Sequence, residues 1–330
     1  MIYICSPSND PHFNLALEQY VFDEMLKDKE YFMLWQNDNA IIIGKHQNTI
    51  AEINQEFVNK NNISVVRRLS GGGAVYHDMG NLNFTFIVND GDNISNFDFG
   101  IFCRPIIKAL DKIGVRAELN GRNDMTIDGK KFSGNSQYTK KHRIMHHGTL
   151  LYNSNLSIIS QSLNVSKDKI ESKGIKSVRS RVTNIKDYMS DDIPLSEFKN
   201  LLLKYMFEQE IIEEYILTEN DIKKINEIKE KIYDTWEWNY GYSPKYNIIK
   251  ERRIEGCGKF EIYMDIENGI ITNFDVFGDY FGNGNKEDLK NILVGKKLEK
   301  NDLEYALKDI DISFFFNNIT LEKFIDIMIL

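Results

Sequence analysis

Cysteine is scarce: only Cys5, Cys103 and Cys257 occur in 330 residues. A set this small, odd and scattered excludes a disulfide framework and points to a reducing, cytoplasmic setting. No apolar run approaches the roughly 20 residues needed to cross a bilayer. The first residues, Met1–Pro7, have neither the basic start nor the apolar core of a secretory signal. The phosphate-loop pattern G-x-x-x-x-G-K-S/T does not occur, and G-x-G-x-x-G fails because Tyr76 stands where its last glycine would be. His146 and His147 have no cysteine pair nearby. Their adjacency on an expected strand sends one inward and one outward, so no zinc site is expected. Internal repeats and low-complexity tracts are also missing.

What is present is a sharply divided charge. The net charge is -8, yet residues 1–103 hold 6 Lys and Arg against 13 Asp and Glu, residues 104–181 hold 16 against 6, and residues 182–330 hold 19 against 30. A basic middle inside an acidic chain points to local attraction of phosphates or of an acidic partner. The acidic whole argues against general nucleic-acid binding. At 330 residues the chain exceeds the usual span of one core, so one large and one smaller domain are expected.

Asp10-Pro11 reads as a helix start, cap then first-turn proline, followed by helical spacing from Phe13 to Met25. Strands are expected at Tyr31–Gln36, Ala40–Ile43 and Ile63–Val66, with a helix near Asn54–Asn61 before the last. Asn81–Ile87 alternates like a half-buried strand. Phe97–Ile113 reads as a buried helix stopped by Gly114. Further strands are expected at Val115–Glu118, Asp124–Ile127, Lys130–Tyr138 and Met145–Tyr152, with Asp128-Gly129 as a tight hairpin turn. Ser166–Thr183 reads as a long basic loop. Helices follow at Leu195–Gln209 and Thr218–Ile232, and Trp236–Pro244 reads as a boundary with Gly and Pro as breakers. Beyond it, a hairpin of Gly258–Ile266 and Ile270–Phe277 and two or three helices form a small α+β unit.

The most informative stretch is Arg67-Arg68-Leu69-Ser70-Gly71-Gly72-Gly73-Ala74-Val75-Tyr76-His77-Asp78. Three glycines between strand-like runs let the main chain approach a ligand closely with its amides turned to bound oxygens, and two arginines at the entrance point to an anion. A plain hairpin turn is the competing reading. Asn120–Asp124 brings together a turn, a cation and a carboxylate; Asp124 reads either as an ion-pair partner of Arg122 or as a holder of Mg²⁺ on a nucleotide. In Lys130-Lys131-Phe132-Ser133-Gly134 the two lysines face opposite ways, so one enters a pocket while the other stays solvated. An inward lysine stabilises charge developing in acyl or phosphoryl transfer.

With these blocks, His146-His147-Gly148-Thr149-Leu150-Leu151, Lys173–Asn184 and Trp236–Tyr240, the chain resembles the lipoate–protein ligases that carry an accessory domain. The resemblance implies an α+β fold of mixed or antiparallel sheets flanked by helices, like the biotin/lipoate ligase catalytic fold. It implies an adenylating domain over 1–243 and an accessory domain over 244–330. It also implies a two-step reaction. Lipoic acid is activated by ATP to lipoyl-AMP with loss of pyrophosphate, and a lysine of an acceptor then takes the lipoyl group. The implied acceptors are lipoyl domains of 2-oxoacid dehydrogenase acyltransferase subunits and the glycine-cleavage H protein. The acidic chain and the lack of long apolar runs lead us to expect no nucleic acid and no membrane, and a two-domain chain with its own accessory cover is expected to be a monomer. By position, Arg68, Ser70, Gly71, Gly72, Gly73, Ala74, Val75, Tyr76 and His77 would line the lipoyl-adenylate pocket, with Ser133 beside them. Lys131 would be the catalytic lysine bridging acyl carbonyl and α-phosphate, and Asn123 and Asp124 would lie near phosphate and Mg²⁺. Gly174, Val178 and Arg179, within Lys173–Arg181, would belong to a loop closing over the nucleotide. The lipoyl tail would enter an apolar tunnel between the N-terminal helix and the strand around Phe84 and Phe86. Two departures are Ser136, where alanine is frequent, and Gln19 after Glu18, where a second glutamate is frequent.

The residues agree with this chemistry, because substrate carboxylate and acceptor amine do the attacking and the protein has only to orient, offset charge and exclude water. A cysteine-dependent lipoyl or octanoyl amidotransferase would need a thiol at the pocket, and no cysteine lies between Asp111 and Gly256. Biotin ligases carry a Gly-Arg-Gly-Arg type loop, absent here, and Lys-x-Asp-Gly nucleotidyltransferases a lysine where Thr126 stands. A non-catalytic lipoate-binding relative is the remaining alternative.

Overall fold

The computed structural model describes residues 1–89, 98–121, 123–163, 182–207, 212–241, 248–267 and 269–329. The first strand, β1 (Ile2–Cys5), leads into α1 (Pro11–Asp23). The Asp10 carboxylate accepts from the His12 amide at 2.9 Å, and Pro11 needs no partner in the first turn. Then come β2 (Tyr31–Trp35), β3 (Ala40–Ile43), the short α2 (Thr49–Glu52), and α3 (Gln55–Lys60), capped by Asn54. β4 (Ser64–Arg67), the glycine loop, β5 (Val75–His77) and β6 (Asn81–Asn89) follow. α4 (Gly100–Lys112) stops at Gly114, which has φ +87°. β7 (Glu118–Asn120), β8 (Asp124–Ile127), β9 (Lys130–Lys140) and β10 (Arg143–Leu151) complete the run of strands. Asp128 and Gly129, both at positive φ, turn β8 into β9 as the Asp-Gly pair predicts.

Among the described residues β1-β2-β6-β10-β9-β8-β7 form one sheet, and β4-β3-β5 a second, smaller one. Apart from the parallel β1–β2 pair, neighbouring strands of the large sheet are antiparallel. Successive side chains go to opposite faces. Phe32, Leu34, Phe84 and Phe86 go to one face, under α4 and α6 (Leu195–Phe207). Tyr31, Met33, Trp35 and Ile87 go to the other, under α1, α7 (Glu219–Ile228) and the small sheet. Each fully buried aromatic of this kind contributes about 1.5–3 kcal/mol through burial.

Several expectations need correction. β6 is buried on both faces rather than half-buried, because helices and the small sheet cover both sides of the large one. The strand expected at Val115–Glu118 lies at Glu118–Asn120, and Val115 is a buried anchor after the helix stop. α5 (Leu156–Ser162) was not anticipated. Trp236–Asn239, at the start of the expected boundary stretch, forms a short helix, α8, that packs on β4; residues 242–247, where the expected boundary falls, lie outside the described residues. The C-terminal unit gains an unanticipated strand, β11 (Ile248–Ile254), beside β12 (Gly258–Glu267) and β13 (Ile270–Gly278). Four helices follow instead of two or three: α9 (Lys286–Leu293), α10 (Lys300–Leu307), α11 (Ile312–Phe315) and α12 (Leu321–Ile329). Their apolar faces close a separate core around Phe260, Phe274 and Phe324.

Candidate active site

A cavity of about 290 Å³ runs across the large sheet on the face covered by α1 and the small sheet. Its floor follows from register. Trp35 pairs with Asn83 and Asn83 with Thr149. The Thr149 hydroxyl accepts from the Gly134 amide at 3.2 Å, and Gly134 pairs with Asp124. One row of same-face residues thus runs from β2 to β8, and all five line the cavity. Four strand spacings put its ends about 19 Å apart. The end at β2, β3 and β5 is walled by Trp35, Ile42, Val75 and Leu15; the end at β8 and β9 holds Asn123, Asp124 and Lys131.

Lys131 enters the cavity as expected, and Lys130 is exposed. The Lys131 ammonium lies 2.7 Å from Asp124 Oδ1, both side chains being 38% exposed. Asp124 therefore pairs with the lysine across the strand. Arg122 lies outside the described residues. Asn123 and Asn135 exchange hydrogen bonds through their amides and main-chain carbonyls, pinning the β7–β8 turn to β9.

The two arginines at the entrance behave differently from each other and from expectation. Arg67 points away from the cavity; its guanidinium donates to the carbonyls of Gly44, Gln47 and Trp238 and to the Thr49 hydroxyl. Arg68 lines the cavity but is also occupied with carbonyls, donating to Gly71 at 2.6 Å, Gly73 at 2.9 Å and Ile42 at 3.1 Å. Burial lowers its pKa to about 10, which leaves it cationic at neutral pH. These bonds hold the glycine loop in its curve. Gly72 takes φ +87°, and its carbonyl sits where a Cβ on Gly44 would be, at 1.9 Å. Positive φ is the reason for glycine at position 72, and this contact the reason for glycine at position 44.

Of the remaining loop residues, Gly72, Gly73, Ala74, Val75 and His77 line the cavity, whereas Ser70, Gly71, Tyr76 and Ser133 do not. Alternation sends Tyr76 into the small sheet's own core, where its hydroxyl donates to Asn39 at 3.0 Å. Ser133 is buried beside Asn135, whose amide donates to it. The Gly71 carbonyl accepts from Ser136 at 2.8 Å, giving that unusual serine a loop-holding role. Gly174, Val178 and Arg179 lie outside the described residues.

His146 and His147 are both buried, contrary to the inward-and-outward expectation, because β10 is a central strand covered on both faces. His147 lines the cavity. Its Nδ1 lies 2.9 Å from Glu18 Oε1 and its Nε2 lies 2.6 Å from Ser70 Oγ. Glu18 also accepts from Thr85 at 2.5 Å. The order serine, histidine, carboxylate is that of a nucleophilic triad. Yet Ser70 faces no open volume and its oxygen already accepts from Arg68 at 3.1 Å. The chain of bonds positions the loop on the sheet. Phe84 and Phe86, named for the tunnel, lie on the opposite face; Leu15, Trp35, Ile42 and Val75 form the apolar wall instead. None of the three cysteines lines the cavity, and burial pushes the Cys103 thiol up to about 12.

Sequence reasoning missed Leu15, Trp35, Asn83, Asn135, His147 and Thr149 as cavity residues, and also Arg253 and Asp279 of the C-terminal unit. That unit reaches the site through these two residues and packs beside it, where His46 stacks on Tyr280 with ring centroids 4.7 Å apart and Gly278 donates to the His46 carbonyl at 2.5 Å. No group of three or more metal-type side chains occurs among the described residues, and none of their helices is long and apolar enough to cross a membrane.

Comparison with known proteins agrees with this geometry. Residues 10–207 match the lipoyl protein ligase A/B catalytic domain, and residues 243–328 match the bacterial lipoate protein ligase C-terminus. The chain is 45% identical to lipoate-protein ligase LplJ of Bacillus subtilis over 97% of each. Among solved structures it is similar to LipL1 of P. falciparum in complex with lipoate, with a TM-score of 0.81 and 27% identity over 98% of this chain and 97% of that one. It is also similar to lipoate-protein ligase A bound with ATP, with a TM-score of 0.63 and 27% identity, over 73% of this chain and 98% of that one. A third likeness is to the bi-partite ligase of Thermoplasma acidophilum studied with its E2 lipoyl domain, with a TM-score of 0.65 and 29% identity, over 75% of this chain and 98% of that one.

Proposed function

Because the chain belongs to the lipoyl protein ligase A/B family, we propose that its sheet-crossing cavity holds lipoyl-adenylate, dithiolane end at Trp35 and phosphate end at Lys131. The activity is that of an ATP-dependent lipoate–protein ligase. A lipoate carboxylate oxygen attacks the α-phosphorus of ATP and pyrophosphate leaves. The acceptor's lysine amine then attacks the acyl carbon, its amide bond forming as the bond to AMP breaks.

The observation that carries the assignment is a cavity along one row of residues, with the inward Lys131 beside one end and an apolar wall at the other. A carboxylic acid with a long apolar tail has that same polarity. Lys131 would lie against the acyl carbonyl and α-phosphate and offset charge as it develops in both steps. Its pairing with Asp124 holds the ammonium over Gly134, at the cavity's polar end. Arg68, Gly72, Gly73, Ala74, Val75 and His77 would shape the acyl channel, and Gly71, Ser70 and Ser133 would support it from behind. Gly174, Val178 and Arg179 would contribute to the nucleotide side, and Asn123 would contact phosphate.

For Mg²⁺ the donor chemistry fits: one carboxylate plus phosphate oxygens is a common arrangement, and Asp124, whose Oδ1 pairs with Lys131, would offer its other oxygen at the polar end. The metal would neutralise phosphate charge there. We assign residues 1–243 to the adenylating domain and 244–330 to the accessory domain. Acceptors would be lipoyl domains of 2-oxoacid dehydrogenase acyltransferases and the glycine-cleavage H protein. The basic segment 104–181 would steer such acidic domains to a monomeric, cytoplasmic enzyme. The test is the mass of a purified lipoyl domain after incubation with enzyme, ATP and lipoate. Addition of one lipoyl group, lost when ATP is omitted, is the expected result; no addition with folded enzyme and acceptor would refute it.

A further inference from the structure

At the apolar end of the cavity one polar ring stands in the wall. His77, only 3% exposed, lies edge-on to Trp35 with ring centroids 6.2 Å apart. Its protonation follows from a chain of asparagines that begins at the backbone. The Asn14 amide nitrogen donates to the carbonyls of Gln36 at 2.8 Å and Ser8 at 3.0 Å, acceptors that fix which end of Asn14 is nitrogen. The same nitrogen lies 2.9 Å from Asn37 Oδ1, where a second amide nitrogen would set donor against donor, so the other end of the Asn37 amide, its NH₂, faces His77 Nδ1 at 3.1 Å. The Asn83 amide nitrogen lies 3.4 Å from the same ring nitrogen, and its Oδ1 accepts from Asn81 at 2.8 Å.

Nδ1 is therefore an acceptor, and the neutral ring carries its proton on Nε2. Burial, reinforced by the nearby charge of Arg68, lowers the pKa to about 3, so the ring stays neutral at physiological pH. Among the described residues nothing accepts from Nε2. A buried N–H without a partner is costly, and such groups are rare unless a ligand or water completes them. The assigned substrate brings atoms of a fitting kind to this end, since sulfur accepts hydrogen bonds weakly where a hydrocarbon chain does not.

We propose that His77 is a specificity-determining residue whose Nε2–H, fixed by Asn37, selects acyl chains ending in a sulfur-bearing ring over purely hydrocarbon ones. The proposal rests on placing the acyl group in this cavity. The probe that separates sulfur from shape is 5-cyclopentylpentanoate, in which the dithiolane is replaced by a carbocycle of equal ring size. Acid-dependent ATP–pyrophosphate exchange is measured with lipoate and with this analogue for the wild type, His77→Leu and His77→Gln. The wild type is expected to favour lipoate in kcat/KM. His77→Leu should lower the lipoate-to-analogue ratio at least about threefold, and His77→Gln, which keeps an N–H donor, should restore part of it. An unchanged ratio in a folded His77→Leu enzyme that still exchanges with lipoate would overturn the role of His77 alone. Absence of lipoate-dependent exchange in the wild type would overturn both this role and the cavity assignment. Nitrogen-15 chemical shifts of the His77 ring give a second readout. They should report the Nε2–H form in wild type and a loss of that fixed form in Asn37→Leu, and a wild-type ring protonated on Nδ1 would refute the proposal.

Discussion

His146 and His147 are neighbours in the chain and occupy opposite worlds. His146 lies among Phe84, Phe86, Phe99 and Phe102, stacked on Phe102 at 4.5 Å, with its ring nitrogens against Gln137 and Asn135. His147, one residue on, touches Glu18 and Ser70 and borders the cavity. The same division separates the two faces of the whole sheet. One face is an aromatic core under α4 and α6; the other is a polar channel under α1 and the small sheet. A strand alternates at every residue, so one set of strands can stabilise the fold with one half of its side chains and present chemistry with the other.

The largest expected effect lies on the channel face. Lys131→Ala should reduce lipoate-dependent ATP–pyrophosphate exchange by about 10²–10³-fold without a shift in the unfolding midpoint. Near-normal exchange would remove the lysine from its assigned role. On the core face the effects should reverse: Phe84→Ala is expected to cost about 3–5 kcal/mol of stability in denaturant unfolding, while the folded fraction keeps its specific activity. If the Phe84 variant instead lost acyl specificity, the two faces would not be functionally separate.

Acid provides a third contrast. Burial holds His146 well below its usual range and His77 at about 3. Between those depressed values and the unfolded value near 6.5 the unfolded chain binds more protons than the folded one. Stability should therefore be complete above about pH 6.5 and fall as the pH drops, by up to about 1.4 kcal/mol per pH unit for each such histidine. Replacing the core-face ring, His146→Phe, should make the urea midpoint less sensitive to lowering the pH from 7 to 5. An equal slope in the variant would show that His146 is not excluded from water as described. The smallest effect belongs to a loop residue turned away from the channel. Tyr76→Phe removes one hydrogen bond to Asn39 and should cost about 0.5–1.5 kcal/mol, with acyl kinetics unchanged. Altered kinetics would put Tyr76 back at the cavity.

Local signals in the chain located most elements. Asp10-Pro11 marked a helix start, Gly114 a stop and Asp128-Gly129 a hairpin, because each of these depends on backbone geometry that only a few residue types adopt. The inward lysine and the adjoining Asp124 could be found because they lie on one hairpin. Trp35, Asn83 and Thr149 could not: they share a row only after four strands align, and nothing in their local spacing records that register. Asn81–Ile87 misled for a related reason, since alternation appears the same whether the second face meets water or another layer.

By itself, then, the order of residues determined the first helix, the tight turns and the strand hairpins, and it marked the stretch of chain we propose holds an activated acid. It also carried the evidence that no cysteine thiol lay in the later pocket blocks. Only the folded arrangement decided that Arg67 serves the scaffold while Arg68 braces the loop, that Phe84 belongs to the core and Trp35 to the channel, and that Asn14 and Asn37 together orient the ring of His77. The physical reason is range. Caps and turns are settled within a few residues by dihedral preference, whereas the side of a sheet a residue serves, and which donors it meets there, depends on strands brought together from distant parts of the chain.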